Sequence, residues 1–229
     1  MSAVGQEYAH KFIAVLDDGS IDGSYETIKE MIDPHEITDF PEAYTGTIDH
    51  VPVLLIRNEK PTGPSAARNK LIKACGNQGH VFAPLDADDQ FMPGKLSKCV
   101  AKMIKGPKTI GLVYTDHMIH NVERNTTTYE SREPYDRNKL QRENIISNSP
   151  VINGLVFEKV GLYDEDLRTC EDWDFYLRIT EHFYAIHIPE PLQVYTVTGF
   201  NATVTVDDAV WNNNWRRVQQ KLQQRNSHA

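Results

Sequence analysis

With 229 residues, 40% of them hydrophobic, the chain is long enough to bury one sizeable core, and no Pro/Gly/Ser-rich linker or internal repeat divides it. Its net charge of −8, with Lys and Arg scattered rather than striped, argues against a broad nucleic-acid or anionic-membrane footprint and leaves room for a small anionic ligand held through a local metal. No apolar run approaches a membrane span, Met1-Ser2-Ala3-Val4 has no charged-then-apolar leader, and Cys75, Cys99 and Cys170 lie outside any CxxC pair, so a cytoplasmic chain with reduced thiols is expected.

Phe12-Ile13-Ala14-Val15-Leu16 reads as a fully buried parallel strand that opens into Asp17-Asp18-Gly19-Ser20, placing charge at the carboxyl edge of a sheet, where open α/β folds bind ligands. A short helix over Ser24 to Ile32 follows, with Tyr25, Ile28, Met31 and Ile32 on one face and Asp33-Pro34 as its stop, and Ser20 and Asp22 are placed to cap it. Residues 35 to 50 are polar and aperiodic and read as a loop. Val51 to Ile56 is a second buried strand, and a helix starts at Thr62-Gly63-Pro64-Ser65 and runs to about Ala74. The third unit is Val81 to Leu85, then Asp86-Ala87-Asp88-Asp89, then a helix beginning near Pro93. Three such units predict a mostly parallel sheet with right-handed crossovers, so that the turns carrying Asp18, Arg68 and Asp88 share one edge.

Ile110 to Tyr114 is a fourth strand, with a turn near Glu123 to Asn125 and a short return through Thr126 to Tyr129. Beyond it the spacing predicts a helix over Asp136 to Ile146, an apolar stretch Val151 to Phe157, and a strong amphipathic helix over Cys170 to Phe183 burying Trp173, Tyr176, Leu177 and Ile179. Two short strands, Ala185 to Ile188 and Leu192 to Tyr195, are split by Pro189 and Pro191, and a last helix covers about Ala209 to Gln223.

Asp86-Ala87-Asp88 is the sharpest local signal, because hard divalent cations take carboxylate oxygens. Such triplets at strand-to-helix junctions also serve as caps and solvated turns. Asp17-Asp18 on the same expected edge favours a site, since two acidic clusters repel unless a cation or hydrogen-bonding ligand lies between them. Asp172 by itself reads as a helix N-terminal acid stabilising the macrodipole, and Trp173 reads as core, with an exposed indole face as the other reading. His117, His120 and His187 have no metal-ligand spacing and read as structural or surface groups.

Val15 to Asp22, Gly63-Pro64-Ser65-Ala66-Ala67-Arg68-Asn69, Leu85 to Asp89 with Pro93 and Leu96, and Glu171-Asp172-Trp173-Asp174-Phe175-Tyr176-Leu177-Arg178 together resemble, in order and spacing, the GT-A glycosyltransferases of family 2. The resemblance runs from about Phe12 to Tyr195. It implies a single GT-A (Rossmann-like) α/β domain, with a nucleotide-sugar-binding half over 11–118, an acceptor and catalytic-base half over 119–205 and a C-terminal helix over 206–229. It further implies an inverting transferase in which Asp18 contacts the nucleotide base, Asp86 lies near the ribose, Asp88 ligates Mn²⁺ or Mg²⁺ on the diphosphate, Arg68 lies close to the nucleotide and Asp172 is the general base. Asp17, Ser20 and Ala87 join the nucleotide-sugar side on the same resemblance, and Glu171 and Trp173 the acceptor side.

Two departures stand beside the match. The family pattern begins one strand and helix earlier, with a Pro-x-Tyr-Asn-like turn, whereas Met1 to His10 is short and polar and Gln6-Glu7-Tyr8 resembles only the tail of that helix. A rearranged sheet, a covering chain or second copy, or a longer parent protein would each accommodate this. Many members also carry Arg and His after the tyrosine matched by Tyr195, where this chain has Thr196-Val197-Thr198-Gly199. The expected function is metal-dependent transfer of a sugar from a nucleoside diphosphate, UDP being the expected nucleotide, to a hydroxyl of a glycan or related acceptor. The alternatives are a non-catalytic binding or assembly module with a degenerate donor site and, lacking support from a Gly-rich basic phosphate loop, a nucleotidyltransferase.

Overall fold

The computed structural model describes residues 2–36, 42–76, 81–107 and 109–227. In chain order its elements are β1 (Ile13–Asp17), α1 (Ser24–Met31), β2 (His35–Glu36), β3 (Ala43–Ile48), β4 (Val51–Arg57), α2 (Pro64–Cys75), β5 (Val81–Phe82), β6 (Gln90–Phe91), α3 (Lys95–Lys105), β7 (Ile110–Asn121), β8 (Thr126–Glu130), α4 (Arg137–Leu140), β9 (Val151–Asn153), α5 (Leu155–Val160), α6 (Glu171–Ile179), β10 (Tyr184–Val197), α7 (Ala202–Thr205) and α8 (Asp208–Asn226). The strands form two mixed sheets, one in the order β1-β4-β3-β2 and one in the order β5-β9-β7-β10-β6 with β8 on β7. Among the described residues, parallel pairing is confined to β1 with β4 and β7 with β10.

The mostly parallel sheet expected from the three strand-turn-helix units is thus divided between β1 and β5. Among the described residues β1 pairs only with β4, and β5 only with β9. The consequence for β1 is visible in its burial: Ile13, Ala14, Val15 and Leu16 are half-buried rather than fully covered, and only Asp17 is buried. α2 ties the halves together, packing on β1 while its Ile72 enters the same cluster as Phe82 of β5. Buried Asn69 adds a reciprocal clamp, its amide nitrogen donating to Tyr163 O at 2.9 Å and its oxygen accepting from Tyr163 N at 2.9 Å.

The core follows from the alternation of β7. Leu112 and Tyr114 enter a large cluster with Phe175, Tyr176, Leu177, Val218 and Leu222, which α6 and α8 contribute, while Val113 enters a smaller cluster with Cys99, Val100 and Met103 of α3 on the other face. Tyr25, Ile32, Val53 and Leu55 form a third cluster under the β1 sheet. α6 buries Trp173, Tyr176, Leu177 and Ile179, as its spacing predicts.

Four local expectations are corrected. The stretch read as a loop contains β2 and β3, and β3 pairs antiparallel with β4 through a two-residue turn at Asp49 (φ 49) and His50 (φ 65). Its Tyr44, Thr45, Thr47 and Ile48 are strand formers on a half-covered sheet, whose sparse apolar content hid them; residues 37–41 lie outside the described set. The helix expected over Asp136 to Ile146 is the four-residue α4, capped by Asp136 accepting from Lys139 N at 2.9 Å. The strands separated by Pro189 and Pro191 are one strand, β10, because the prolines fall at register shifts where no ladder N–H is required. Finally, α1 is N-capped by Gly23 without a side-chain bond; Asp22 accepts from Ser24 N at 3.0 Å, and Ser20 takes no part.

Candidate active site

The turn after β1 is held by its own carboxylates. Asp17 is buried and accepts from Ser20 N at 3.2 Å, with Arg57 Nε 3.5 Å away, while Ser20 O accepts from Arg57 Nη2 at 3.2 Å. Gly19 has φ 79, and a Cβ there would come within 2.9 Å of Pro61, so both its conformation and its space require glycine. Asp18 reaches across to the start of α2. It accepts from Asn58 Nδ2 at 2.7 Å, Thr62 N at 2.9 Å, Thr62 Oγ1 at 2.9 Å and Gly63 N at 2.8 Å. Partial burial pushes its pKa up, but the bonds from Asn58, Thr62 and Gly63 outweigh this and the net shift is downward.

Arg68, on the first turns of α2, is the hub of the site. Its Nη2 donates to Asp86 Oδ1 at 2.7 Å and its Nη1 to Glu171 Oε1 at 2.9 Å, and its guanidinium lies 5.6 Å from the centre of the Tyr163 ring. Burial opposes its charge, yet Asp86, Tyr163 and Glu171 together hold it fully protonated. One side chain thereby joins the acidic turn after β5 to the start of α6, positions 86 and 171 of the chain.

Asp172 is half-buried beside this pair. Its Oδ2 accepts from Asn144 Nδ2 at 3.0 Å and its Oδ1 from Trp173 N at 2.7 Å. Burial raises its pKa, with the Trp173 N–H and the Arg68 charge pulling the other way; burial and the Asp172 carboxylate raise Glu171 as well. Cys170, directly ahead, adopts φ 60, a left-handed conformation that turns the chain into α6, and burial and Asp172 push its thiol up to about 11, so it is no nucleophile.

Asp88 projects from the exposed part of the turn, its Oδ2 accepting from Asn201 Nδ2 at 2.9 Å; burial and the nearby Asp86 carboxylate raise its pKa. Ala87 between them is exposed. Asp89 anchors the turn from beneath: buried, it accepts from Asn148 Nδ2 at 2.6 Å and Thr196 N at 2.9 Å, and burial raises its pKa to about 6. Asn148 Oδ1 in turn accepts from Gln193 Nε2 at 2.8 Å, and Gln193 Oε1 from the buried Lys95 Nζ at 2.8 Å.

The structure therefore gathers Arg68, Asp86, Glu171 and Asp172, with Asp88 at their exposed edge, while Asp17, Asp18 and Ser20 form a separately braced turn against α2. Trp173 is core, 3% exposed, its indole N–H donating to Leu140 O at 2.7 Å. His187 Nε2 donates to the Asp116 carboxylate at 2.7 Å, His117 lies 3.3 Å from Glu130 and His120 meets Thr127. Asn144, Asn148 and Asn201 carry no motif of their own, and Asp89, though it lies within the Leu85 to Asp89 stretch, has a role that only its contacts reveal.

Among the described residues no group of three or more His, Cys, Asp or Glu is placed to hold a metal. A pair suffices for the cation in question, since Mg²⁺-type ions are commonly bound by one or two carboxylates together with substrate phosphates and water. Asp86 and Asp88 fit that role: after burial, the Asp86 carboxylate adds to the cost of charge on Asp88, which a cation would relieve, and Asp88 keeps Oδ1 clear of the bond to Asn201. A shallow cavity on the α8 side, lined by Arg178, Lys221, Gln224 and Arg225, is no rival anion site, because its cations are already matched by Asp174, Asp164 and Glu181. No described helix is long and apolar enough to cross a membrane.

Comparison with known proteins follows the same lines. The family model for glycosyl transferase family 2 matches residues 1–160, a span that ends before Asp172. An uncharacterized glycosyltransferase of Bacillus subtilis is 28% identical over 164 residues, covering 69% of this chain and 59% of that protein. Among solved structures, Staphylococcus aureus TarS 1-349 matches with a TM-score of 0.61 at 14% identity, over 85% of this chain and 54% of its own. A mannosyltransferase of Pyrobaculum calidifontis, solved with GDP-Man and Mn²⁺, matches with a TM-score of 0.60 at 17% identity, over 87% and 52%. The chain thus spans little more than half of these proteins.

Proposed function

This chain belongs to glycosyl transferase family 2, and on that premise we propose that it transfers a sugar, with inversion, from a nucleoside diphosphate to a hydroxyl of a glycan or related acceptor. The observation that carries the reading is the Arg68 bridge from Asp86 to Glu171, which puts the acidic turn after β5 beside Asp172. A departing nucleoside diphosphate develops negative charge, and an attacking hydroxyl must lose a proton on the opposite side of the sugar. The two halves of this site supply those needs separately.

On the donor side, Asp88 with Asp86 would hold Mn²⁺ or Mg²⁺, which supplies charge neutralisation at the diphosphate. Arg68 holds Asp86 in place, and Asp89, fixed by Thr196 and Asn148, keeps the turn in register with β10. Asp18 acts first as a brace for Thr62 and Gly63, which sets the shape of the turn where the base of the nucleotide would lie. UDP is the nucleotide proposed from the motif resemblance; the Mn²⁺ and GDP-Man of the Pyrobaculum relative make GDP the alternative to test beside it.

On the acceptor side, Asp172 is the base. Burial lifts its pKa above the ordinary carboxylate range, which makes the ionised form a stronger proton acceptor, and Asn144 and the Trp173 N–H fix its orientation. Sugar-transfer assays with Asp88→Asn and Asp172→Asn test the proposal: each substitution is expected to abolish most transfer, and full transfer by either sinks it. The division of the sheet at β1 favours a second reading, a binding module with a degenerate donor site. That reading predicts no donor hydrolysis and no Mn²⁺-dependent stabilisation.

A further inference from the structure

The first half of α8 presents a sequence that packing alone does not require: Trp211-Asn212-Asn213-Asn214-Trp215. The buried stripe of this helix is Asn214, Val218 and Leu222, and Asn214 Nδ2 donates to Thr169 Oγ1 at 3.0 Å, so the helix is already fixed against the chain just ahead of α6. Trp211 and Trp215 are four residues apart and therefore neighbours along one face, about 6 Å apart along the axis, roughly the length of one sugar ring. Trp211 is partly exposed, and Trp215 is 46% exposed, unusual for so large an apolar side chain in a helix that has its packing stripe elsewhere. Asn212 and Asn213 beside them are exposed amides.

Position separates this patch from a chance surface aromatic. The Trp215 ring stacks on Trp173, centroids 6.3 Å apart and planes at 30°, and Trp173 is the residue after Asp172. Gln219, one turn on, donates to Gln141 O at 2.8 Å, in the loop that also supplies Asn144 to Asp172. The segment leading into α8 starts at the other end of the site: Asn201 donates to Asp88, and Phe200 and Val204 on either side are 87% and 59% exposed. Residues 198–215 thus run from the acidic turn to the neighbour of the candidate base, carrying exposed apolar side chains along the way. Trp215, in ring contact with Trp173 and 46% exposed, offers indole surface to solvent, and indole surfaces with adjacent amides suit the apolar face and hydroxyl rim of a pyranose.

We propose that Trp211, Asn212 and Trp215 form an acceptor platform that stacks consecutive pyranose rings of an oligosaccharide and presents its terminal hydroxyl to Asp172. This deepens the transferase reading and rests on it for the role of Asp172, but the binding surface has its own test. The full chain and the variants Trp215→Ala, Trp215→Phe and Trp211→Ala are applied to a glycan array of pyranose mono-, di- and tetrasaccharides without donor. In parallel, stabilisation by UDP- and GDP-sugars with Mn²⁺ is recorded. The expected result is retention of glycans that strengthens with length, weakened about 10-fold or more by Trp215→Ala and largely kept by Trp215→Phe, with donor stabilisation unchanged in both. Loss of glycan binding in Trp211→Ala, which leaves the Trp173 stack intact, guards against a folding defect in Trp215→Ala. Glycan retention that is equal in wild type and both alanine variants overturns the platform. So does the absence of any retained glycan while donor stabilisation persists, in which case the transferase reading survives. Donor stabilisation absent from the wild type sinks the transferase reading, whereas glycan retention lost in Trp215→Ala would still establish the platform.

Discussion

Replacing Arg68 with methionine removes the cation between Asp86 and Glu171 while keeping much of the side-chain volume. The two halves of the bridge are unequal: side-chain exposure is 42% for Asp86 but 13% for Glu171, with Arg68 itself at 20%. The Asp86 half is screened by solvent and is worth about 0–1 kcal/mol. Loss of the Glu171 half leaves a mostly buried carboxylate next to Asp172 without its cation, costing about 2–3 kcal/mol. The expected total is about 2–4 kcal/mol, or a fall in Tm of roughly 5–15 °C for a chain of this size.

The pH dependence gives the prediction its sign. Burial and Asp172 already raise the Glu171 pKa, and Arg68 opposes them, so Arg68→Met moves the folded-state value further up. A raised carboxyl destabilises the fold where it must be ionised, so the deficit of the variant is full above that folded pKa and shrinks as pH falls through it. Urea unfolding followed by circular dichroism near pH 8 and near pH 5 measures both. A deficit equal at the two pH values, or below about 0.5 kcal/mol at the higher one, would refute the bridge as the link between β5 and α6.

Other substitutions probe the remaining parts. Asp172→Asn is expected to lower kcat by about 10²–10⁴-fold with little change in donor KM, and to remove the acid limb of the pH–rate profile, which burial should place above the ordinary carboxylate range; an unchanged limb in the variant would exclude Asp172 as the base. Asp18→Asn should cost about 1–3 kcal/mol, because the new amide cannot accept all of the Asn58, Thr62 and Gly63 bonds. Since the folded Asp18 pKa is depressed, its contribution is present above about pH 4 and is lost in acid, so wild type and variant should converge at low pH in denaturant titrations. Lys95, wholly buried on Thr115 and Gln193, is shifted down by burial from 10.5 to about 8, so the unfolded chain holds a proton there that the folded one lacks and wild-type stability should gain over that pH range. Lys95→Met should abolish that gain, as read by the difference in unfolding free energy between the two proteins across the window.

How much of this was legible beforehand differs by element. The motif-bearing turns were, because strand hydrophobicity followed by Asp17-Asp18, Gly63-Pro64 or Asp86-Ala87-Asp88 is a local pattern. α6 was, because a buried helix writes its period into one stretch. β2 and β3 were not: Thr45, Gly46 and Thr47 have little apolar signal, and their pairing with β4 is a tertiary event. β10 reads in sequence as two strands because proline forbids a ladder bond but not a bulge. The partners of the candidate catalytic groups, Asn144, Asn148 and Asn201, were illegible for a different reason. An asparagine in a loop looks like a turn residue until the fold shows which carboxylate it meets.

The proposed donor site is assembled from Asp86, Asp88 and Arg68, and ligand-induced stabilisation addresses it most directly. A thermal-shift panel of UDP-, GDP- and dTDP-sugars with and without Mn²⁺ should show stabilisation by one donor only when Mn²⁺ is present, about 2.7 kcal/mol at 100 times its Kd, and none for Asp88→Asn. Stabilisation that does not depend on Mn²⁺, that persists in Asp88→Asn, or that is absent for every donor would contradict it.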